Sequence, residues 1–211
     1  MQEILNTNCL DYMKTVSDNY FTMTLTDIPY SEVNRKSSGL RNLNKGNADI
    51  KTFELEPFMK EVIRVTNGSI YIFCGITQIS EIDLIFREHG LSERVLTWEK
   101  TNPSPMNCDK LFLSSLEFCV FGRKPKATFN GTYVHNYIKL KTERSKIHPT
   151  QKPVELFKKL IELSSNENDI IYDPCAGSGT TGIACQELNR QFVLNEIDET
   201  FFSSAKERLK L

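Results

Sequence analysis

The 211-residue, 24.3 kDa chain is 39% hydrophobic, enough for one large α/β domain with a core of its own. Its 26 basic residues balance 27 acidic ones, which excludes a global polycation and leaves any nucleic-acid contact to local clusters. Charges scattered from Met1 to Thr15 and the lack of an apolar run of about 18 residues argue against a signal segment, a spanning helix and a membrane partner, so a soluble cytoplasmic protein is expected.

In chain order, Ile4 to Asn6 reads as a short strand and Leu10 to Val16 as a helix broken by Ser17-Asp18-Asn19. Phe21 to Asp27 is a strand that runs into Ile28-Pro29-Tyr30. A basic, Asn- and Ser-rich stretch from Ser31 to Ala48 follows and is expected to be a mobile loop. Phe58, Met59, Val62, Ile63 and Val65 then form a helical stripe before a buried strand, Ser69 to Cys74. A second stripe, Ile79, Ile82, Ile85 and Phe86, ends at His89-Gly90, and strands follow at Arg94 to Trp98 and Leu116 to Phe121. Pro153 is expected as the first residue of a helix with Leu156, Leu160, Ile161 and Leu163 inward. The last third reads as strand Ile170 to Tyr172, a glycine turn, helix Thr181 to Leu188, strand Phe192 to Leu194 and helix Phe201 to Leu209. Seven strands alternating with helices imply one doubly wound, mostly parallel sheet, with ligands at the carboxyl ends of its strands.

Two basic stretches could meet a polyanion. Between Arg123 and Lys152, eight basic residues (Arg123, Lys124, Lys126, Lys139, Lys141, Arg144, Lys146, Lys152) face one acidic residue, Glu143, and five face two between Ser31 and Lys51. Six cysteines show no CxxC pair and no histidine at zinc-finger spacing, which favours buried thiols over disulfides or a metal centre.

Two strand ends carry the chemistry. Asp27-Ile28-Pro29-Tyr30 sets a carboxylate, a prolyl turn and an aromatic ring together, suited to a flat, amino-bearing base. Asp173-Pro174-Cys175-Ala176-Gly177-Ser178-Gly179-Thr180-Thr181 joins a strand to a helix, where glycines let backbone N–H groups approach a ligand. A P-loop needs Gly-Lys-Ser/Thr, and no lysine lies between Asp173 and Asn195, so a nucleoside triphosphate is disfavoured. Gly177, Gly179 and Gly182 do satisfy the GxGxxG spacing of a dinucleotide site, which keeps a nicotinamide oxidoreductase open. Negative charge from Asp173 and Asp198 suits a cationic ligand better than a pyrophosphate, and Glu196 stands where a carboxylate can accept both hydroxyls of a ribose. A sulfonium nucleoside is the better fit.

These motifs resemble the amino-group DNA methyltransferases that use S-adenosylmethionine, whose base motif is Asp/Asn/Ser-Pro-Pro-Tyr/Phe. With the base motif first, His148-Pro149-Thr150-Gln151-Lys152-Pro153 late and the cofactor loop last, the order is similar to the circularly permuted β group. The resemblance implies a Rossmann-like methyltransferase domain over 1–211, with 31–48 as a basic loop and 124–147 as a short target-recognition region. It implies S-adenosylmethionine contacts at Asn8, Cys9, His148, Thr150, Gln151, Lys152, Asp173, Cys175, Gly177, Ser178, Gly179, Thr180 and Glu196. Catalysis falls to Asp27, Ile28, Pro29 and Tyr30, with no metal. The partners implied are DNA, a second copy of the chain and a cognate restriction enzyme. Three positions depart from the family pattern: Ile28 for proline, Asn8 for aspartate and Cys175 for phenylalanine. The acidic first position points to adenine N6 rather than cytosine N4. Cytosine N4 in DNA, RNA or protein amide substrates, and a non-catalytic partner subunit, are the alternatives.

Overall fold

In the computed structural model, the described residues are 1–30, 54–105, 109–143 and 151–211. The eight strands are β1 (Gln2–Leu5), β2 (Phe21–Asp27), β3 (Thr66–Cys74), β4 (Ser92–Lys100), β5 (Leu116–Arg123), β6 (Tyr137–Leu140), β7 (Ile170–Asp173) and β8 (Gln191–Asn195). They form one sheet in the order β1-β8-β7-β2-β3-β5-β4-β6. β5 runs antiparallel to both of its neighbours and every other pairing is parallel. The expected mostly parallel sheet is therefore present with one strand more than the seven expected. The addition is β6, an edge strand inside the basic stretch with two half-buried apolar residues, Ile138 and Leu140. Two alternating positions are too short a pattern to stand out from the loops around them.

Three helices cover each face. On one lie α1 (Cys9–Thr15), α2 (Leu55–Val65) and α3 (Ile79–Glu88), around Met13, Phe58, Val62, Ile82 and Phe86. On the other lie α4 (Val154–Ser164), α5 (Thr180–Glu187) and α6 (Glu199–Leu209), around Leu156, Phe157, Leu160, Ala184 and Leu209. β3 feeds both cores: Ile70, Ile72 and Cys74 face the first, Tyr71 and Phe73 the second, as the period of two requires. A register shift between Phe21 and Met23 lets β2 present Phe21 to the first core and Met23 and Leu25 to the second. Pro153 caps α4 in an extended conformation (φ −60°, ψ 135°), so the helix begins one residue later than expected. Among the described residues no helix is long and apolar enough to cross a membrane.

Adjacency places the site. β2 pairs with β3 on one side and β7 on the other, all parallel. Asp27, the end of β3 and the turn after Asp173 therefore emerge side by side at one edge of the sheet. Because β5 is reversed, its first residues reach that same edge.

Candidate active site

The ladder shapes the base motif. The Ile28 N–H donates to the Phe73 carbonyl at 3.1 Å, so the chain stays extended one residue beyond β2, with Ile28 buried. This is the conformation that Pro29 imposes on the residue before it. The Gln78 side chain donates to the Pro29 carbonyl at 3.3 Å and accepts from the Gly75 N–H at 2.9 Å, tying the turn to the end of β3. The Tyr30 hydroxyl then reaches back to Asp27 Oδ1 at 3.1 Å.

Lys152 arrives from the segment before α4. Its side chain is 5% exposed, and its ammonium donates to Asp27 Oδ2. The same nitrogen lies 3.0 Å from Glu117 Oε2 and 3.3 Å from the Tyr30 hydroxyl, and 5.4 Å above the Tyr30 ring. Lys100 holds the other Glu117 oxygen at 2.6 Å. Burial pushes the Asp27 carboxyl up against the pull of Lys152. Burial also opposes charge on Lys152 and Glu117, but their partners prevail: Lys152 is raised by the two carboxylates, Glu117 lowered by the two lysines. The Tyr30 phenol, buried beside Asp27 and Glu117, is held well above its usual range and stays protonated.

The glycine turn is a backbone construction. Gly177 (φ 50°) and Gly179 (φ 73°) lie in the left-handed region, and Gly179 caps α5. Asp173 braces the turn from within: one carboxylate oxygen accepts from the Cys175 N–H at 3.0 Å, the other from the Thr181 hydroxyl. Burial pushes it up to about 6. Arg208 of α6 donates to the Ser178 carbonyl at 2.9 Å and to the Thr180 hydroxyl at 3.2 Å. Gly182 has a packing reason, because a Cβ there would stand 2.7 Å from Leu209 and 3.0 Å from Leu194.

Glu196 faces the turn. One of its oxygens accepts from the Gly177 N–H at 2.8 Å and the other from the Asp198 N–H at 2.9 Å, leaving each a lone pair for a further donor. Asn8 caps α1, accepting from the Leu10 N–H at 2.8 Å. The neighbouring Cys9 and Cys175 thiols act on each other, Cys9 being drawn down and Cys175, with burial, driven up. Gln151 Oε1 is buried with no partner among the described residues, whereas His148 and Thr150 lie outside them.

A family model described as DNA methylase matches residues 129–207. The Type II methyltransferase M2.MboI of Moraxella bovis is 30% identical over 95% of this chain and 85% of its own length. The Lactococcus lactis subsp. cremoris Type II methyltransferase M2.LlaDCHI is 27% identical over 98% and 88%. The chain belongs to the DNA methylase family. The solved structure of the M1.HpyAVI–SAM complex superposes on this DNA methylase with a TM-score of 0.77 at 30% identity, over 99% of this chain and all of the other. The cytosine-N4-specific PvuII DNA methyltransferase, at 16% identity and a TM-score of 0.78, shares the fold, over 97% of this chain and 85% of the other.

S-adenosylmethionine is the cofactor of this amino-DNA methylase. The site fits it: carboxylates at Asp173 and Glu196 suit a sulfonium, Glu196 keeps acceptor capacity for hydroxyls, and glycine-exposed N–H groups open α5.

Asp27, Ile28, Pro29 and Tyr30 come together as the motif requires, and Gly177, Ser178, Gly179 and Thr180 form one turn beside Glu196. Lys152 is placed on Asp27. Glu117 and Gln78 had no motif to mark them; a lone glutamate opening an apolar strand is the one trace Glu117 leaves. Of the basic stretch, Arg123 donates to the Ala127 carbonyl and Lys124 to Asn19 and the Ile63 carbonyl, so both are held inside the fold. Lys139 pairs with Glu99 at 3.0 Å. Arg144 and Lys146, the expected loop at 31–48 and Cys108 fall outside the described residues. Four other cysteines, at 9, 74, 119 and 185, are buried.

Proposed function

We propose that this DNA methylase transfers the methyl group of S-adenosylmethionine to the exocyclic N6 of adenine. The observation that carries the reading is the Asp27 carboxylate, held at a strand end among Lys152, Glu117 and Tyr30. An aromatic amine is a poor nucleophile because its lone pair is delocalised into the ring. With one amino hydrogen on Asp27 and one on the Ile28 carbonyl, the nitrogen is drawn toward tetrahedral geometry and its lone pair is freed for attack. Tyr30 supplies a stacking face for a base turned out of the duplex, worth about 1–3 kcal/mol. As the nitrogen gains the methyl it releases one proton, for which Asp27 is the first acceptor.

Bound S-adenosylmethionine supplies the electrophilic methyl. Glu196 would take its ribose, the turn from Gly177 to Thr180 its methionine part, Asn8 and Cys9 the adenine edge, and Gln151 the methionine side together with His148 and Thr150. An acidic first motif position supports adenine over cytosine. A companion endonuclease belongs to the same reading, given Type II relatives.

The test is incubation of the purified protein with isotopically labelled S-adenosylmethionine and unmethylated DNA, then nucleoside digestion and mass spectrometry. Labelled N6-methyladenine is expected. Labelled N4-methylcytosine would overturn the choice of base, and no labelled nucleoside despite demonstrated cofactor binding would overturn DNA methylation by the chain alone.

A further inference from the structure

Both oxygens of Asp27 are already engaged, Oδ1 by the Tyr30 hydroxyl and Oδ2 by the Lys152 ammonium. That ammonium does what a target amino group must do: it donates to Asp27 while lying 5.4 Å from the Tyr30 ring centre and 5.6 Å from that of Phe73. The ammonium thus occupies the place beside the two rings from which a base would donate to Oδ2, and Lys152 must withdraw for a base to take that place. A buried ammonium withdrawn without a partner is strongly unfavourable. Glu117 removes that difficulty, because its Oε2 already lies 3.0 Å from the same nitrogen. Lys100, at 2.6 Å from Oε1, fixes Glu117 so that it does not follow the lysine. The long lysine stem allows the short swing.

We infer that Lys152 is a displaceable stand-in for the target amino group, and that Glu117 is the positioning residue that receives its ammonium when the base arrives. The inference rests on the amino-methylation reading above and adds to it residues that act before chemistry. Lys152, held between Asp27 and Glu117, never lacks a carboxylate, and two lysines balance two carboxylates throughout. The groups facing Asp27 are Lys152, Glu117 and Tyr30, with Cys74 of β3, Cys119 of β5 and Asp173 of β7 further off. Lys152 draws the Asp27 carboxyl down and Glu117 pushes it up. Removing each should therefore move its titration in opposite directions.

The experiment is a carbon-13 titration of labelled aspartate carboxylates in the cofactor-free protein, beside the pH profile of kcat on unmethylated plasmid DNA. Lys152→Met should shift the Asp27 titration and the acid limb of kcat to higher pH. Glu117→Gln should shift both to lower pH, yet lower kcat about tenfold at an unchanged KM for S-adenosylmethionine, since Lys152 then has Asp27 alone to hold. Glu117→Asp should restore part of the rate and guards against a misfolded Gln variant. Shifts of the same sign in the two variants, or an unchanged kcat in Glu117→Gln, overturn the inference. A wild-type protein that methylates no DNA overturns instead the reading on which it rests.

Discussion

In the proposed site, the cofactor side is built on one contiguous stretch, Asp173 to Thr181, whose backbone N–H donors are held by two left-handed glycines and faced by Glu196. The base side is assembled from the separated residues Asp27, Tyr30, Lys100, Glu117 and Lys152, joined by ion pairs. The first kind of site does not tolerate an added Cβ. The second tolerates small changes of shape but not the loss of a charge, because each buried ion there is balanced by another.

The sharpest way to separate the halves is Asp27→Asn. It should lower kcat about 10²–10³-fold, the scale of removing one preorganised polar contact to a transition state, while calorimetry still shows S-adenosylmethionine binding. Retained activity would break the comparison at its base side. Gly179→Ala tests the other half: φ of 73° and a new Cβ 3.2 Å from Ala205 should cost about 1–2 kcal/mol. A fall in Tm of a few degrees with weaker cofactor binding is expected, and an unchanged Tm would mean that the turn relaxes freely. Glu196→Gln keeps shape and removes charge, so it should weaken S-adenosylmethionine about tenfold, or about 1.4 kcal/mol, in a calorimetric titration. No change there would remove Glu196 from the cofactor. The smallest effect belongs to Asp198, which caps α6 by accepting from the Thr200 and Phe201 N–H groups at 2.9 and 3.1 Å. Asp198→Ala should cost about 1 kcal/mol of stability with kcat intact, and a change in kcat larger than in Tm would show that the two halves are coupled through this helix.

The same contrast explains what the sequence disclosed. The glycine turn was legible because its function lies in adjacent residues with strict backbone demands, and the motif from Asp27 to Tyr30 for the same reason. Helices α1 to α4 were legible from apolar spacing, as with Phe58, Met59, Val62 and Ile63, and α5 and α6 from their places after the glycine turn and the last strand. Glu117 was not, because nothing in its neighbourhood distinguishes it, and neither was its pairing with Lys100. Both residues become neighbours of Asp27 through strand order, with β3 pairing to β5 and β5 to β4. Lys152 was singled out but expected beside the cofactor carboxylate, since its motif does not state that Asp27 and Glu117 stand within its reach. The charge count from Arg123 to Lys152 overstated the free cations, because sequence cannot say that Lys124 ends on the Ile63 carbonyl or Arg123 on the Ala127 carbonyl.

The reversed strand β5 has one more effect. Because it starts at the edge where the others end, β4 and β5 form a hairpin whose root lies at that edge. That hairpin is clasped at its root, where the Lys100 N–H donates to the Ser115 carbonyl at 2.7 Å. Ser115 lies two residues before Glu117, and Leu111 and Phe112 beyond the clasp are open to solvent. Whatever is spliced between Lys100 and Ser115 hangs from a closed root and leaves the sheet register unchanged. The fold thus carries, close to Glu117, a closed root at which the connection between β4 and β5 can change in length without moving β2, β3 or β7.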